Sequence, residues 1–193
     1  FLFLSIIGCN KPTEKEKQLL EVEYGSLANV VDSLSVEIDP NIYEHWSTLV
    51  NRMEDIVCND SIPKITLTLE NKIKKIYFSN FCWEHYGCIL IRERNVIEIH
   101  NNTISKTGKY FYPIDSLECV IKRDVENFGA NPSFCDHPDR LLFSISYDDD
   151  QMGGLFGLLD NLTEIYARLT NNQDIKIVLV EKYNYDQEIP QPE

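Results

Sequence analysis

Asp139–Lys182, DRLLFSISYDDDQMGGLFGLLDNLTEIYARLTNNQDIKIVLVEK, decides the fold of this chain. Leu141 to Tyr147 and Ile175 to Glu181 are short aliphatic and β-branched runs of strand length. Between them Leu155, Leu158, Leu159, Leu162, Ile165, Tyr166 and Leu169 recur at steps of three and four, the stripe of a core-facing helix. Two strands joined through one helix lie parallel, with a right-handed crossover. The expected class is α+β: a two-layer α/β arrangement in which a mixed sheet carries helices packed on one face.

Upstream, Asp115 and Glu118 have the spacing of a capping box. Leu117, Val120, Ile121, Val125 and Phe128 form the inner face of the helix it would open, and Gly129 stands where a C′ glycine belongs. Cys88 to Arg92 and Val96 to His100 read as a hairpin turning at Glu93 to Asn95, followed by a polar loop from Asn101 to Lys109. KITLTLE, Lys64 to Glu70, alternates with period two and is answered by Ile73 to Phe78. Before them, Ile42 to Val57 carries Trp46, Leu49, Val50, Met53 and Val57 on one helical stripe. An earlier helical segment near Leu27 uses Leu27, Val30, Val31 and Leu34 and stops at Asp39-Pro40. The expected organisation is a signal remnant at 1–8, a tether at 9–25, an N-terminal helical extension at 26–62, an α/β domain at 63–183 and a tail at 184–193.

From Cys88 onward the order is hairpin, helix, strand, helix, strand. With RLLFSISYDDDQMGGLFGLLDNL and the closing IKIVLVE, it resembles the periplasmic domain of the ExbD/TolR family. That resemblance implies a small envelope module that dimerises, or that binds envelope proteins or peptidoglycan. The family's membrane-spanning helix, with its proton-responsive carboxylate, has no match in the sequence, so proton-coupled energy transfer is not implied.

FLFLSIIG, Phe1 to Gly8, is apolar but far short of the about 20 residues that span a bilayer. It fits the end of a signal-peptide core. Ile6-Ile7-Gly8-Cys9 resembles the lipobox of bacterial lipoproteins, which implies lipidation at Cys9, with the rest held off the membrane by KPTEKEK. The expected location is the bacterial cell envelope, through a lipid anchor, with the outer membrane first among the choices and either its periplasmic or its surface face. The balance of 18 basic against 31 acidic residues, net −13, opposes binding to nucleic-acid phosphates or to anionic lipid. The partners that the ExbD/TolR resemblance implies are an envelope protein, peptidoglycan or a second copy of the chain, and another glycan is a further expectation.

Asp148-Asp149-Asp150 ends a strand where ligands of open α/β sheets collect, and carboxylates there could hold Mg²⁺ or Ca²⁺. Adjacent residues point apart, however, and acidic residues before a helix also cap its free N–H groups. Capping is the expectation, with no metal and no cofactor. Gly153-Gly154 lacks the rest of a dinucleotide fingerprint. Asp136-His137, Glu84-His85 and Cys135 with His137 place base or nucleophile types side by side, without a hydrolase signature. Trp83, Tyr86, Tyr110 and Tyr112, with Phe78, Phe81 and Phe111, could form a glycan or partner surface. Setting Cys9 aside leaves five cysteines. Cys82 with Cys88 is the expected pair if any forms, and Cys119 falls on a helical apolar stripe. The expected function is a non-catalytic binding or assembly module. The alternatives are a metal-assisted hydrolase at Asp148–Asp150 and a glycan-binding lipoprotein.

Overall fold

The computed structural model describes residues 19–25, 34–82 and 91–182. In chain order these form β1 (Leu20–Tyr24), β2 (Ser35–Glu37), α1 (Trp46–Cys58), β3 (Ile62–Thr68), β4 (Lys72–Tyr77) and β5 (Val96–His100). They continue with β6 (Thr103–Lys106), β7 (Tyr110–Pro113), α2 (Leu117–Val125), β8 (Leu142–Ser146), α3 (Leu155–Thr170) and β9 (Lys176–Leu179). The class is α+β, and the described residues form three α-helices and two mixed sheets where one sheet was expected.

The first sheet has the order β1-β4-β3-β2, its central β3–β4 hairpin antiparallel and its outer strands parallel to their neighbours. The second has the order β7-β6-β5-β8-β9. Here β8 and β9 are parallel, in register from Leu142↔Lys176 to Ile145↔Leu179, as the strand–helix–strand reading requires. The first sheet takes β1 from the expected tether and β2 from the expected helical extension, and β3 already begins at Ile62, so the segment before residue 63 is not purely helical. Leu27, Val30 and Val31 lie outside the described residues, and Leu34 is exposed.

The expected partner of β5 changes. Ile91 and Arg92 are not in a strand, and 88–90 lie outside the described residues. Instead β5 turns at Asn101-Asn102 and pairs antiparallel with β6, His100 facing Thr103. Asn101 has φ 52°, the left-handed conformation that asparagine tolerates in two-residue hairpin turns. The segment read as a polar loop is therefore β6, and its Ile104 and Lys106 point into the core.

One core joins both sheets and all three helices. Phe143 of β8 meets Tyr166 of α3 edge-on, their rings 6.0 Å apart. On its other side α3 receives Lys74 of β4, whose fully buried ammonium donates to the Asp160 carbonyl at 3.0 Å and pairs with Glu164 at 2.8 Å. The sheets also meet along the free edge of β9. Ser79 N–H donates to the Ile177 carbonyl at 2.7 Å, and the Asn80 amide brackets both backbone groups of Leu179. Gly25 turns against Tyr77 at φ +118°, where a Cβ would lie 2.5 Å from the Tyr77 carbonyl oxygen; only glycine fits.

Three local expectations are corrected. The α2 N-cap is Ser116, with no side-chain cap bond, and Glu118 reaches across to Arg168 at 2.8 Å instead of back to Asp115. Cys119 and Phe128 are exposed. Phe128 follows the last turn of α2 at φ 43°, which swings it off the helical stripe. The disulfide joins Cys58 to Cys82, not Cys82 to Cys88, because α1 ends beside the segment leaving β4.

Candidate functional site: the open face of the second sheet

Side chains along a strand alternate between faces. In the second sheet Ile97, Ile99, Phe143, Ile145, Ile177 and Leu179 take the core face. Val96, Glu98 and His100 of β5, Leu142, Ser144 and Ser146 of β8, Val178 of β9, and Thr103 and Ser105 of β6 therefore take the other. Register sets Glu98 level with Ser105 and Ser144, and His100 level with Thr103 and Ser146. These side chains floor a groove of about 770 Å³, walled by Val50, Asn51 and Glu54 of α1, by Phe81 and Ile91, and by Phe111 of β7. That volume lies in the range of ligand sites.

At one end of the floor His100 Nδ1 lies 3.0 Å from Ser146 Oγ, and its Nε2 lies 3.5 Å from Asp148 Oδ1. Asn101 locks Asp148 in place, donating to its carboxylate at 2.9 Å and accepting its backbone N–H at 3.1 Å. Burial, reinforced by the Lys182 charge, holds His100 below its ordinary pKa against the pull of Asp148. The ring is thus neutral at pH 7 and able to accept or relay a proton. Serine, histidine and aspartate are the types of a hydrolytic triad. Here, however, Ser146 and His100 are direct cross-strand neighbours, and sheet pairing alone brings them together.

The acidic turn does not converge on one point. Asp148 serves His100 and Asn101. Asp149 accepts the Ser47 backbone N–H at 3.0 Å, which holds its carboxyl below the usual carboxylate range. Asp150 makes no hydrogen bond or ion pair among the described residues. No cluster of three metal-ligating side chains occurs among those residues. The capping expectation takes an unforeseen form: Asp149 caps α1, 102 residues away in sequence, and not α3, whose N-terminus has no side-chain cap.

The other expected sites separate too. Asp136 pairs with Arg92, Arg94 and Arg140, while His137 turns to Asp139 at 3.3 Å. The Cys135 thiol is buried, donates to the His137 carbonyl at 3.1 Å and is pushed up in pKa by burial, the opposite of an activated nucleophile. Tyr110 and Tyr112 join Phe134 and Arg123, with the Arg123 guanidinium 4.1 Å from the Phe134 ring and donating to the Tyr112 hydroxyl at 2.9 Å. Phe111 faces the groove and Phe78 is core. Trp83, Tyr86, His85 and Cys9 lie outside the described residues.

The polar row Glu98–His100–Ser144–Ser146 is the feature that sequence reasoning missed. Its signal was the alternation of polar with aliphatic residues in VIEIH and LFSIS, which marks a face not fully covered. Compared with known proteins, the chain matches no family model, no curated protein and no solved structure.

Proposed function

We propose that this chain is a lipid-anchored cell-envelope protein that works by binding or assembly, with the groove on the second sheet as its binding surface. The groove itself carries the reading: a sheet face that mixes polar and apolar side chains on its floor and walls, large enough for a ligand. The Cys58–Cys82 bridge supports a location outside the reducing cytosol. The β8–α3–β9 crossover supports the likeness to the ExbD/TolR periplasmic domain, and IIGC supports the anchor. No helix among the described residues is long and apolar enough to cross a membrane.

Methyl NMR of the whole chain tests the groove. Val50, Ile91, Val96, Val178 and Val180 report on it, and the probes are a basic peptide, an acidic peptide and a chitin oligomer. At least one probe should shift these methyls in the wild type and leave them still in Ser144→Tyr, whose ring fills the floor. Silence from all three probes overturns the reading. The anchor is tested separately: mass spectrometry of the protein from bacterial membranes should find a diacylglyceryl group on Cys9, and an unmodified Cys9 removes the anchor.

A further inference from the structure

The charge lining the groove selects a class of ligand, an inference that rests on the groove being the binding surface. Four carboxylates line it: Glu54 on α1, Glu93 before β5, Glu98 mid-floor and Glu181 after β9. None of them has a hydrogen bond or ion pair among the described residues. Several carboxylates elsewhere find cations. Glu118 takes Arg168, Glu164 takes Lys72 and Lys74, and Asp136 takes three arginines. Among the described lining residues Lys182 is the one fixed cation set against the four, and burial holds His100 below its ordinary pKa.

Apolar surface accompanies the charge. Phe111, 65% exposed, stands at the β7 end, and Ile91, 38% exposed, is part of the wall. The floor crosses β6, β5, β8 and β9, about 15 Å at ~4.8 Å per strand, the length of about five extended residues. The carboxylates come from four separate segments along that span, an arrangement for several cations in a row and not for one metal ion.

We infer that the groove binds an extended polypeptide segment carrying two or more Lys or Arg side chains interleaved with apolar ones. The cations meet Glu98 and Glu54, and the apolar side chains meet Phe111 and the Val50–Ile91 wall.

The probes are a fluorescein-labelled, capped hexapeptide Leu-Lys-Val-Arg-Leu-Lys, its Glu-substituted counterpart, a chitin oligomer and spermidine, followed by anisotropy or by competition. The basic peptide should bind, weaken steeply at roughly 0.5 M salt, and lose about tenfold in affinity in the Glu54→Gln/Glu98→Gln double variant. Both side chains reach solvent, so the double variant should keep the wild-type near-UV spectrum. Equal binding of the acidic peptide, or undiminished binding of the basic peptide to the double variant, overturns the inference. Spermidine binding as tightly as the peptide removes the polypeptide from it. A chitin oligomer that shifts the groove methyls while the basic peptide does not also overturns it, yet leaves the binding function standing.

Discussion

Asp124→Asn should destabilise the protein by about 3–5 kcal/mol at pH 7, the cost of stranding one partner of a buried ion pair. Asp124 of α2 and Lys106 of β6 pair with both side chains wholly out of solvent. Asp124 Oδ1 also accepts the Cys135 backbone N–H at 2.9 Å. Asparagine keeps an oxygen for that bond, so the substitution isolates the charge. Burial already lowers the Lys106 pKa, with Asp124 opposing the fall. Removing Asp124 lowers it further.

The sign of the pH dependence follows. Between the folded pKa of Lys106 and its unfolded value near 10.5, the unfolded chain binds more protons, so stability rises with pH. That window widens in the variant. The deficit of Asp124→Asn relative to wild type should therefore be largest near neutrality and shrink as pH climbs toward the unfolded value. Urea titrations of both proteins at neutral and alkaline pH measure it. A deficit that does not change with pH would mean that packing around the introduced amide, not the stranded ammonium, carries the loss.

Loss of the Cys58–Cys82 bridge is the second large effect. The bond closes a loop with a sequence separation of 24, and cross-linking a loop of that length lowers unfolded-chain entropy by an amount worth about 3–4 kcal/mol. The Cys58→Ser/Cys82→Ser variant should unfold at correspondingly lower urea. A reducing agent should shift the wild type toward the variant and leave the variant unmoved. An equal shift of both by reductant would place the effect at another cysteine. The bridge ties the end of α1 to the segment that follows Phe81, so the groove wall is expected to loosen with it. The basic-peptide affinity should then fall in the variant even where it remains folded.

Much of the architecture could be read from local pattern. The Leu155–Tyr166 stripe, the β3–β4 alternation and the two aliphatic runs around α3 each repeat with the period of the element they form, because one face of each must be buried. Those periods determine helix and strand, and the parallel pairing of β8 with β9 across α3. They miss β6, where TISK is too short and polar to show a period, although the Asn101-Asn102 turn was a signal for it. They also hide the buried lysines. Lys74 and Lys106 occupy inward positions of ordinary alternation, and a lysine goes inward only where a carboxylate from another element, Asp160 and Glu164 or Asp124, is waiting.

The acidic turn shows the division most clearly. Its place, between β8 and α3, was written in the sequence. Its work was not: Asp149 caps a helix 102 residues earlier in sequence, and Asp148 is held by Asn101 beside His100. The groove was hidden for the same reason. By itself the sequence determined the class, most of the strands and helices, and an acidic balance that opposes anionic polymers as partners. Only the tertiary structure decided that there are two sheets, which cysteines pair, and that Glu98, His100, Ser144 and Ser146 share one open face. Local periodicity reports which side of an element is buried. Which distant elements stand opposite, and what charge they present to one another, is fixed only when the chain closes on itself.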